Sequence, residues 1–204
     1  DRLGRRQGGN PGFRFSNNYG PTEATVVATS GWIGSEGTRL PSIGRPIGNA
    51  RVYVLDGQLQ PVPVGIAGDL CIGGRGVSRG YLNRPELTAE RFIPDPFATE
   101  AGQRLYQSGD QARYRANGEI EFIGRTDQQV KIRGMRIEPG EIEAVLLQHP
   151  AVRQAAVGAG DDVRLVAYVA SIGPSPEPVE ALRRFLGERL PEAMVPSSFV
   201  FLAM

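Results

Sequence analysis

Lys131 is the only lysine among the 23 Lys and Arg residues of this 204-residue sequence. A chain that uses arginine everywhere else and keeps one lysine either retains a surface lysine by chance or needs a compact, flexible ammonium there rather than a planar fork. Lys131 lies within residues 124–143, a stretch dense in charge, glycine and β-branched residues, which is the composition of a site with its scaffold. In that stretch Arg125 is a candidate phosphate ligand, and Lys131 a candidate point-charge donor to ribose or carboxylate oxygens. A salt-bridged hairpin would use the same residues. Residues 17–23 read Asn-Asn-Tyr-Gly-Pro-Thr-Glu. Gly20-Pro21 forces a tight bend that exposes backbone amides. The Thr22 hydroxyl and the Glu23 carboxylate at its exit suit a phosphate and its magnesium, and Tyr19 offers a flat face. A polar turn entering a strand, capped locally by Thr22 and Glu23, accounts for the same pattern. Residues 106–110 read Tyr-Gln-Ser-Gly-Asp, where a Gly-Asp pair at a strand end can aim Asp110 at vicinal hydroxyls such as those of ribose, or simply close a turn.

Other chemistries are excluded. The glycines of residues 73–80 have the wrong spacing for a dinucleotide fingerprint or a Walker loop and read as a structural crossover. The sequence has one His, His149, which precedes Pro150 and suits a helix C-terminus, so a Ser-His-Asp arrangement is not evident. No His/Cys/Asp cluster has metal-ligand spacing. The lone Cys71, inside an apolar run, cannot form an internal disulfide and fits a reducing cytoplasm. A net charge of +1 gives no sign of a nucleic-acid or membrane surface, and no apolar run approaches the ~20 residues that span a bilayer.

The elements that must position these residues fall into two groups. Up to about residue 125 the pattern is β-rich. Strands are expected over residues 25–30, 51–55, 60–64, 69–72, 111–115 and 119–123, the last two joined by an Asn117-Gly118 turn, with a helix at 85–92 opened by Pro85. After Asp127 a strand (129–133), a helix (139–148), two strands (152–157 and 165–170), a helix (179–190) and a terminal strand follow. That is a compact α+β unit of about 75 residues. The expected boundary lies at 125–127. Both ends of the sequence look like cuts into something longer: no initiator Met opens it, and an apolar strand-like run closes it.

Five segments, in this order, resemble the adenylation domain of nonribosomal peptide synthetases, a branch of the adenylate-forming enzymes. They are residues 17–23; the run from Gly68 to Leu82, with Asp69 for the usual Glu; residues 106–110, with Ser108 for Thr; residues 124–143; and residues 190–196. The resemblance implies mixed α/β and α+β architecture, with residues 1–126 the C-terminal part of a large AMP-binding domain and 127–204 a small subdomain across a hinge. It implies that Tyr19 packs on adenine, with Asn17, Asn18, Gly20, Pro21 and Thr22 lining the nucleotide. Thr22 would meet phosphate and Glu23 would ligate magnesium. Asp110 would take the ribose hydroxyls, with Phe122 flanking the nucleotide and Arg125 touching ribose or phosphate. Asp127 would be the hinge, Lys131 would reach the ribose and acyl carboxylate, and Gly134 and Arg136 would face a pantetheine arm. Asn18, Val26 and Val27 match positions lining an amino-acid pocket. The implied reaction joins an amino acid to ATP and then loads the aminoacyl group onto the phosphopantetheine thiol of a carrier protein. An acyl- or aryl-CoA ligase and a non-catalytic carrier-docking module are the alternatives. Pro139 followed by Glu-Ile-Glu at 141–143 is reminiscent of the CoA ligases, whereas residues 128–134 favour the amino-acid branch. The family's phosphate loop belongs upstream of these motifs and its final Asn-Gly-Lys downstream. The 204-residue chain alone is therefore expected to show no amino-acid-dependent ATP–pyrophosphate exchange, and robust exchange by the purified chain would overturn this.

Overall fold

In this computed structural model the described residues are 14–34, 40–127, 129–132, 135–160, 164–172 and 178–202, and the chain divides into two compact units, Asp1–Thr126 and Asp127–Met204. In the first unit β1 (Ser16–Tyr19), β2 (Thr29–Trp32) and β3 (Arg45–Pro46) form a three-stranded antiparallel sheet. A second, antiparallel sheet holds β4 (Ala50–Leu55), β5 (Gly68–Gly74), β6 (Phe92–Pro94), β7 (Arg104–Tyr114) and β8 (Ile120–Arg125). The 11-residue β7 is its spine. It pairs with β5 along one edge, and with β6 and then β8 along the other. Helix α1 (Pro85–Arg91) starts on Pro85, whose missing N–H costs nothing in a first turn.

The apolar runs of β5 and β7 follow from burial on both faces. Leu70, Ile72, Tyr106 and Ala112 pack with Val52, Val54 and Ile120, while Cys71 and Leu105 pack with Leu55 on the other side. Strands covered on both faces lose the in–out alternation of a half-solvated sheet. Cys71 is 1 % exposed, and burial, with a smaller contribution from the charge of Asp69, pushes its thiol up to about 12.

Two expected strands are replaced. Residues 25–30 form a strand only from Thr29; before it Thr22–Ala24 makes a 3-10 turn, and Thr25 and Val26 take left-handed backbone at φ 57 and 70. The β-branched run is overridden by Pro21, whose carbonyl accepts both Ala24 N–H and Val26 N–H at 3.1 Å. Residues 60–64 contribute a single bridge, Leu55↔Pro61, because the Asp56 carboxylate gathers the N–H groups of Gln58 and Gln60 into a turn. The span 107–110, read as a strand end or a turn, lies inside continuous β7.

In the second unit β9 (Val130–Ile132) and β10 (Met135–Ile137) pair antiparallel. Next come α2 (Pro139–Leu146), β11 (Val152–Ala159), β12 (Leu165–Ser171), α3 (Val179–Gly187) and β13 (Ser198–Phe201). β11 runs antiparallel to β12, and β12 parallel to β13 with α3 as the crossover that a parallel pair needs. Ile142 and Leu146 of α2, and Leu182 and Leu186 of α3, each four residues apart and thus on one helix face, bury against Val157, Ala167 and Val169. The Glu143 carboxylate accepts the Val157 N–H at 2.7 Å and ties α2 to β11. His149 follows α2, and its Nδ1 accepts the Ala151 N–H at 3.3 Å. Among the described residues no helix is long and apolar enough to cross a membrane.

Gly44 joins the two sheets of the first unit. It bridges Ile120 through Ile120 N–H to Gly44 O at 2.8 Å, and a Cβ there would lie 2.0 Å from the Ser30 carbonyl oxygen at a φ of 81. Gly48 has open space around it. Gly44→Ala is expected to destabilise the chain by about 2 kcal/mol or more and Gly48→Ala by about 1 kcal/mol or less, measured by denaturant midpoints. Equal midpoints would refute the role given to Gly44.

Candidate functional site

Ser108 and Asp110 owe their setting to a bulge in β7. Across β5 the register runs Cys71↔Gln107 and then Asp69↔Gln111, so three residues of β7 oppose Leu70 alone. Gly109 absorbs the irregularity at φ 74, a conformation that suits glycine. Ser108 Oγ donates to Leu70 O at 2.6 Å and accepts the Asp110 N–H at 3.1 Å, which fixes the bulge from inside. A second irregularity follows on the other edge, where Asp110 pairs with Arg125 but Ala112 pairs with Phe122. Bulges re-aim side chains, and here the one re-aimed is a carboxylate that is 5 % exposed.

A buried carboxylate must be paired. Asp110 Oδ1 takes Arg125 Nη1 at 2.6 Å, and the same guanidinium donates Nη2 to the Ser108 carbonyl at 3.1 Å. Asp110 Oδ2 accepts the Tyr19 hydroxyl. The Tyr19 ring lies 6.4 Å from that of Phe122, tilted by 39°. Tyr19, Asp110, Phe122 and Arg125, from β1, β7 and β8, are thus one cluster. Burial first, and then the charge of Asp110, pushes the Tyr19 phenol well above its ordinary range.

After Tyr19 the chain turns sharply. A Cβ on Gly20 would meet Ala28 N at 2.6 Å and Val26 O at 2.7 Å, so no larger residue fits without moving backbone. Val27 N–H bonds Thr25 O at 2.9 Å around Val26, a three-residue turn of the strained kind. Such strain persists only where surroundings over-determine it. The surroundings are the glycine-rich crossover after β5: Thr25 Oγ1 donates to Gly76 O at 2.6 Å, and Ser78 N–H to Glu23 O at 2.8 Å. The crossover reading of residues 73–80 thereby acquires a partner, the turn at 22–26.

The Glu23 carboxylate is bracketed. Its Oε1 accepts the Tyr81 hydroxyl at 2.8 Å and the Tyr106 hydroxyl at 2.9 Å. Tyr106 and Asp110 belong to the same strand, so β7 grips both flanks of the turn: Glu23 through Tyr106 and Tyr19 through Asp110. Sequence reasoning assigned no role to Tyr81 or the Tyr106 hydroxyl. The available signal was a phenol at an otherwise aliphatic position of a buried strand, but partners 58 and 83 residues away are not legible from spacing.

The remaining expected site residues are placed as follows. Thr22 opens the 3-10 turn with an exposed side chain. Asn17 donates Nδ2 to Ser42 O at 2.8 Å, and exposed Asn18 accepts from Ser16 Oγ at 2.9 Å. Pro21 carries the accepting carbonyl of the turn; Val26 is 67 % exposed and Val27 half-buried. In the second unit Asp127 accepts the Gln129 N–H at 3.2 Å, and Lys131 pairs with Arg136 across β9 and β10, the Arg136 side chain being exposed. Gly134 and the Lys131 side chain lie outside the described residues. Among the described residues no group of three or more His, Cys, Asp or Glu could hold a metal by itself.

Known proteins give this geometry a context. The family described as AMP-binding enzyme matches residues 4–82, and that described as AMP-binding enzyme C-terminal domain matches 141–204. The sequence is 51 % identical over 190 residues to a dimodular nonribosomal peptide synthase of Bacillus subtilis, covering 91 % of this chain and 8 % of the relative. It is 52 % identical to phosphinothricin tripeptide synthetase PhsC of Streptomyces viridochromogenes, covering 91 % of this chain and 17 % of the relative. Among solved structures IdnL1 is similar with a TM-score of 0.82 at 32 % identity, covering 94 % of this chain and 40 % of that one. PA1221, a protein containing adenylation and PCP domains, has a TM-score of 0.76 at 27 % identity, covering 94 % and 38 %.

The two raised phenols carry a pH signature. Burial, and then its bond to Glu23, raises Tyr81 as it does Tyr19 in its own setting. A group whose pKa is raised by folding stabilises fully below its unfolded value, ~10 for Tyr, and loses that contribution as pH climbs toward the folded value. Stability is expected to fall above about pH 10, and Tyr19→Phe and Tyr81→Phe each to flatten that fall, read from denaturant midpoints between about pH 8 and 11. Parallel alkaline slopes in wild type and variants would refute the assignment.

Proposed function

This chain belongs to the AMP-binding enzyme family, and on that premise we propose that it is part of an amino-acid adenylation domain. The curated relatives extend far beyond it, the chain spanning 8 % and 17 % of the two cited above. The whole protein would use ATP to convert an amino-acid carboxylate into an aminoacyl-adenylate with release of pyrophosphate. It would then pass the aminoacyl group to the phosphopantetheine thiol of a carrier protein, with release of AMP. Residues 1–126 would be the end of the large AMP-binding domain and 127–204 the start of the small one, with Asp127 as the hinge between them.

The observation that carries this reading is the cluster of Tyr19, Asp110, Phe122 and Arg125 with Glu23 on the same strand's grip. A nucleotide offers a flat base, a vicinal diol and a polyphosphate. In this reading the Tyr19 ring, held by its hydroxyl, meets the base, with Phe122 beside it. Asp110 receives the diol, the Arg125 guanidinium pairs with that carboxylate and adds its own donors, and Thr22 meets phosphate. Asn17, Gly20 and Pro21 shape the turn under the nucleotide, while Asn18, Val26 and Val27 face the amino acid. Lys131 would bring an ammonium to the ribose and acyl carboxylate, and Gly134 and Arg136 would face the pantetheine arm. The chemistry asked of these groups is alignment and charge stabilisation rather than covalent participation.

Magnesium fits the residues present. It keeps several waters and is usually held by one or two carboxylates together with substrate phosphates, not by an all-protein cage. Glu23 supplies one half-buried carboxylate, and the described residues build no multi-ligand cage. When bound it would neutralise phosphate charge. The buried lone thiol and ATP chemistry suit a cytoplasmic setting.

The experiment is ATP–pyrophosphate exchange across a panel of amino acids with the full-length protein containing this chain, followed by transfer to carrier protein or to free CoA. Amino-acid-dependent exchange and carrier loading are expected, and Asp110→Ala is expected to lower kcat/KM for ATP by about 100-fold or more, consistent with loss of a charge-assisted contact of about 3 kcal/mol. Transfer to CoA instead would establish a CoA ligase, and no exchange with any acid would leave a docking module.

A further inference from the structure

Two neutral phenols converge on one oxygen of Glu23. Tyr81 comes from the end of the glycine-rich crossover and Tyr106 from the buried spine β7, and both donate to Oε1, at 2.8 and 2.9 Å. The backbone of the turn is already anchored without them, through Ser78 N–H to Glu23 O and Thr25 Oγ1 to Gly76 O. Their bonds therefore add something the backbone anchors do not, which is the orientation of the carboxylate. They orient it without bringing charge of their own, so a phenol collar leaves the negative charge in place where an arginine would offset it. A carboxylate has about four acceptor sites, and two phenols on a single oxygen set the direction in which the group presents the others. The phenols are themselves held by rings: Phe92 lies 5.4 Å from Tyr81, edge-on, and 5.1 Å from Tyr106. Tyr106 is 1 % exposed.

We propose that Tyr81 and Tyr106 are positioning residues that hold the Glu23 carboxylate in a single orientation for a divalent cation accompanying a polyphosphate. The inference rests on the reading of Glu23 as the cation's protein ligand and adds two residues that act through it. Hydrogen-bond partners of metal-ligating carboxylates change metal affinity by about 10- to 100-fold when removed, and loss of this collar belongs to that class. Phe92 would be the wedge that keeps both phenols aimed.

The test uses Mn2+ together with ATP as the probe, titrated into this chain while the broadening of backbone amide NMR signals of residues 22–24 and 78 is followed. Circular dichroism melting is recorded for every variant. Glu23→Gln is expected to abolish the local broadening. Tyr81→Phe and Tyr106→Phe are each expected to raise the apparent Kd about 10-fold with the native spectrum retained. Tyr81→Phe carries the test alone if Tyr106→Phe fails to fold, since Tyr81 is the less buried of the two. If Glu23→Gln abolishes the broadening while the phenylalanine variants bind Mn2+ as the parent does, the collar is only structural and the proposal is overturned while the cation reading stands. If Glu23→Gln broadens as the parent does, the cation reading fails and takes the proposal with it.

Discussion

The pairing of one buried carboxylate governs the first unit. Asp110 is almost fully enclosed, and an unpaired charge there would cost several kcal/mol even after relaxation. Its two oxygens draw in Arg125 from β8 and Tyr19 from β1, so the charge requirement of one residue fixes the approach of three strands. The bulge at Ser108–Asp110 makes that possible. In a regular β7 the side-chain alternation at this point would run differently, and Ser108 would have no reason to satisfy both Leu70 O and Asp110 N–H. The irregularity is therefore part of the site.

The turn at 22–26 shows the complementary constraint. Two consecutive β-branched residues in left-handed backbone are unfavourable by themselves. They are held by Pro21 O from one side and by the crossover from the other, including the two hydrogen bonds to Gly76 and Ser78. The glycines of the crossover, which resemble a phosphate loop at a glance, serve close approach: a Cβ at Gly76 would sit 3.3 Å from Ala24 O. The local conflict between propensity and structure falls where the sequence motif falls, which is where such conflicts are expected.

Much of the fold was legible. The helices at 85–92 and 139–148, the Asn117-Gly118 hairpin, and the strands of β4, β5, β11 and β12 follow from proline placement, turn chemistry and apolar runs, all local signals. What was not legible depended on distance along the chain. Residues 25–30 look like a strand because Thr-Val-Val is a β-branched run, and only Pro21, close by, and the crossover, 51 residues away at Gly76, convert it to a turn. The continuity of β7 through Gly109 was hidden because Ser-Gly-Asp has the composition of a turn. The short β10 was missed because so brief a strand carries too little periodicity to register. At the site, the candidate ligands could be named from their motifs, but the phenol collar could not, since Tyr81 ends a crossover that reads as scaffold and the Tyr106 hydroxyl meets Glu23 across 83 residues.

The cluster's contacts also bear on how the chain matures. Tyr19 meets Asp110 across 91 residues and Glu23 meets Tyr106 across 83, and the entropy of closing such spans must be met before those contacts stabilise anything. A ribosome-tethered chain that has emerged only as far as the glycine crossover has the whole first motif exposed yet owns neither carboxylate grip. Closure of the cluster is in that sense a late event, coincident with docking of the central strand.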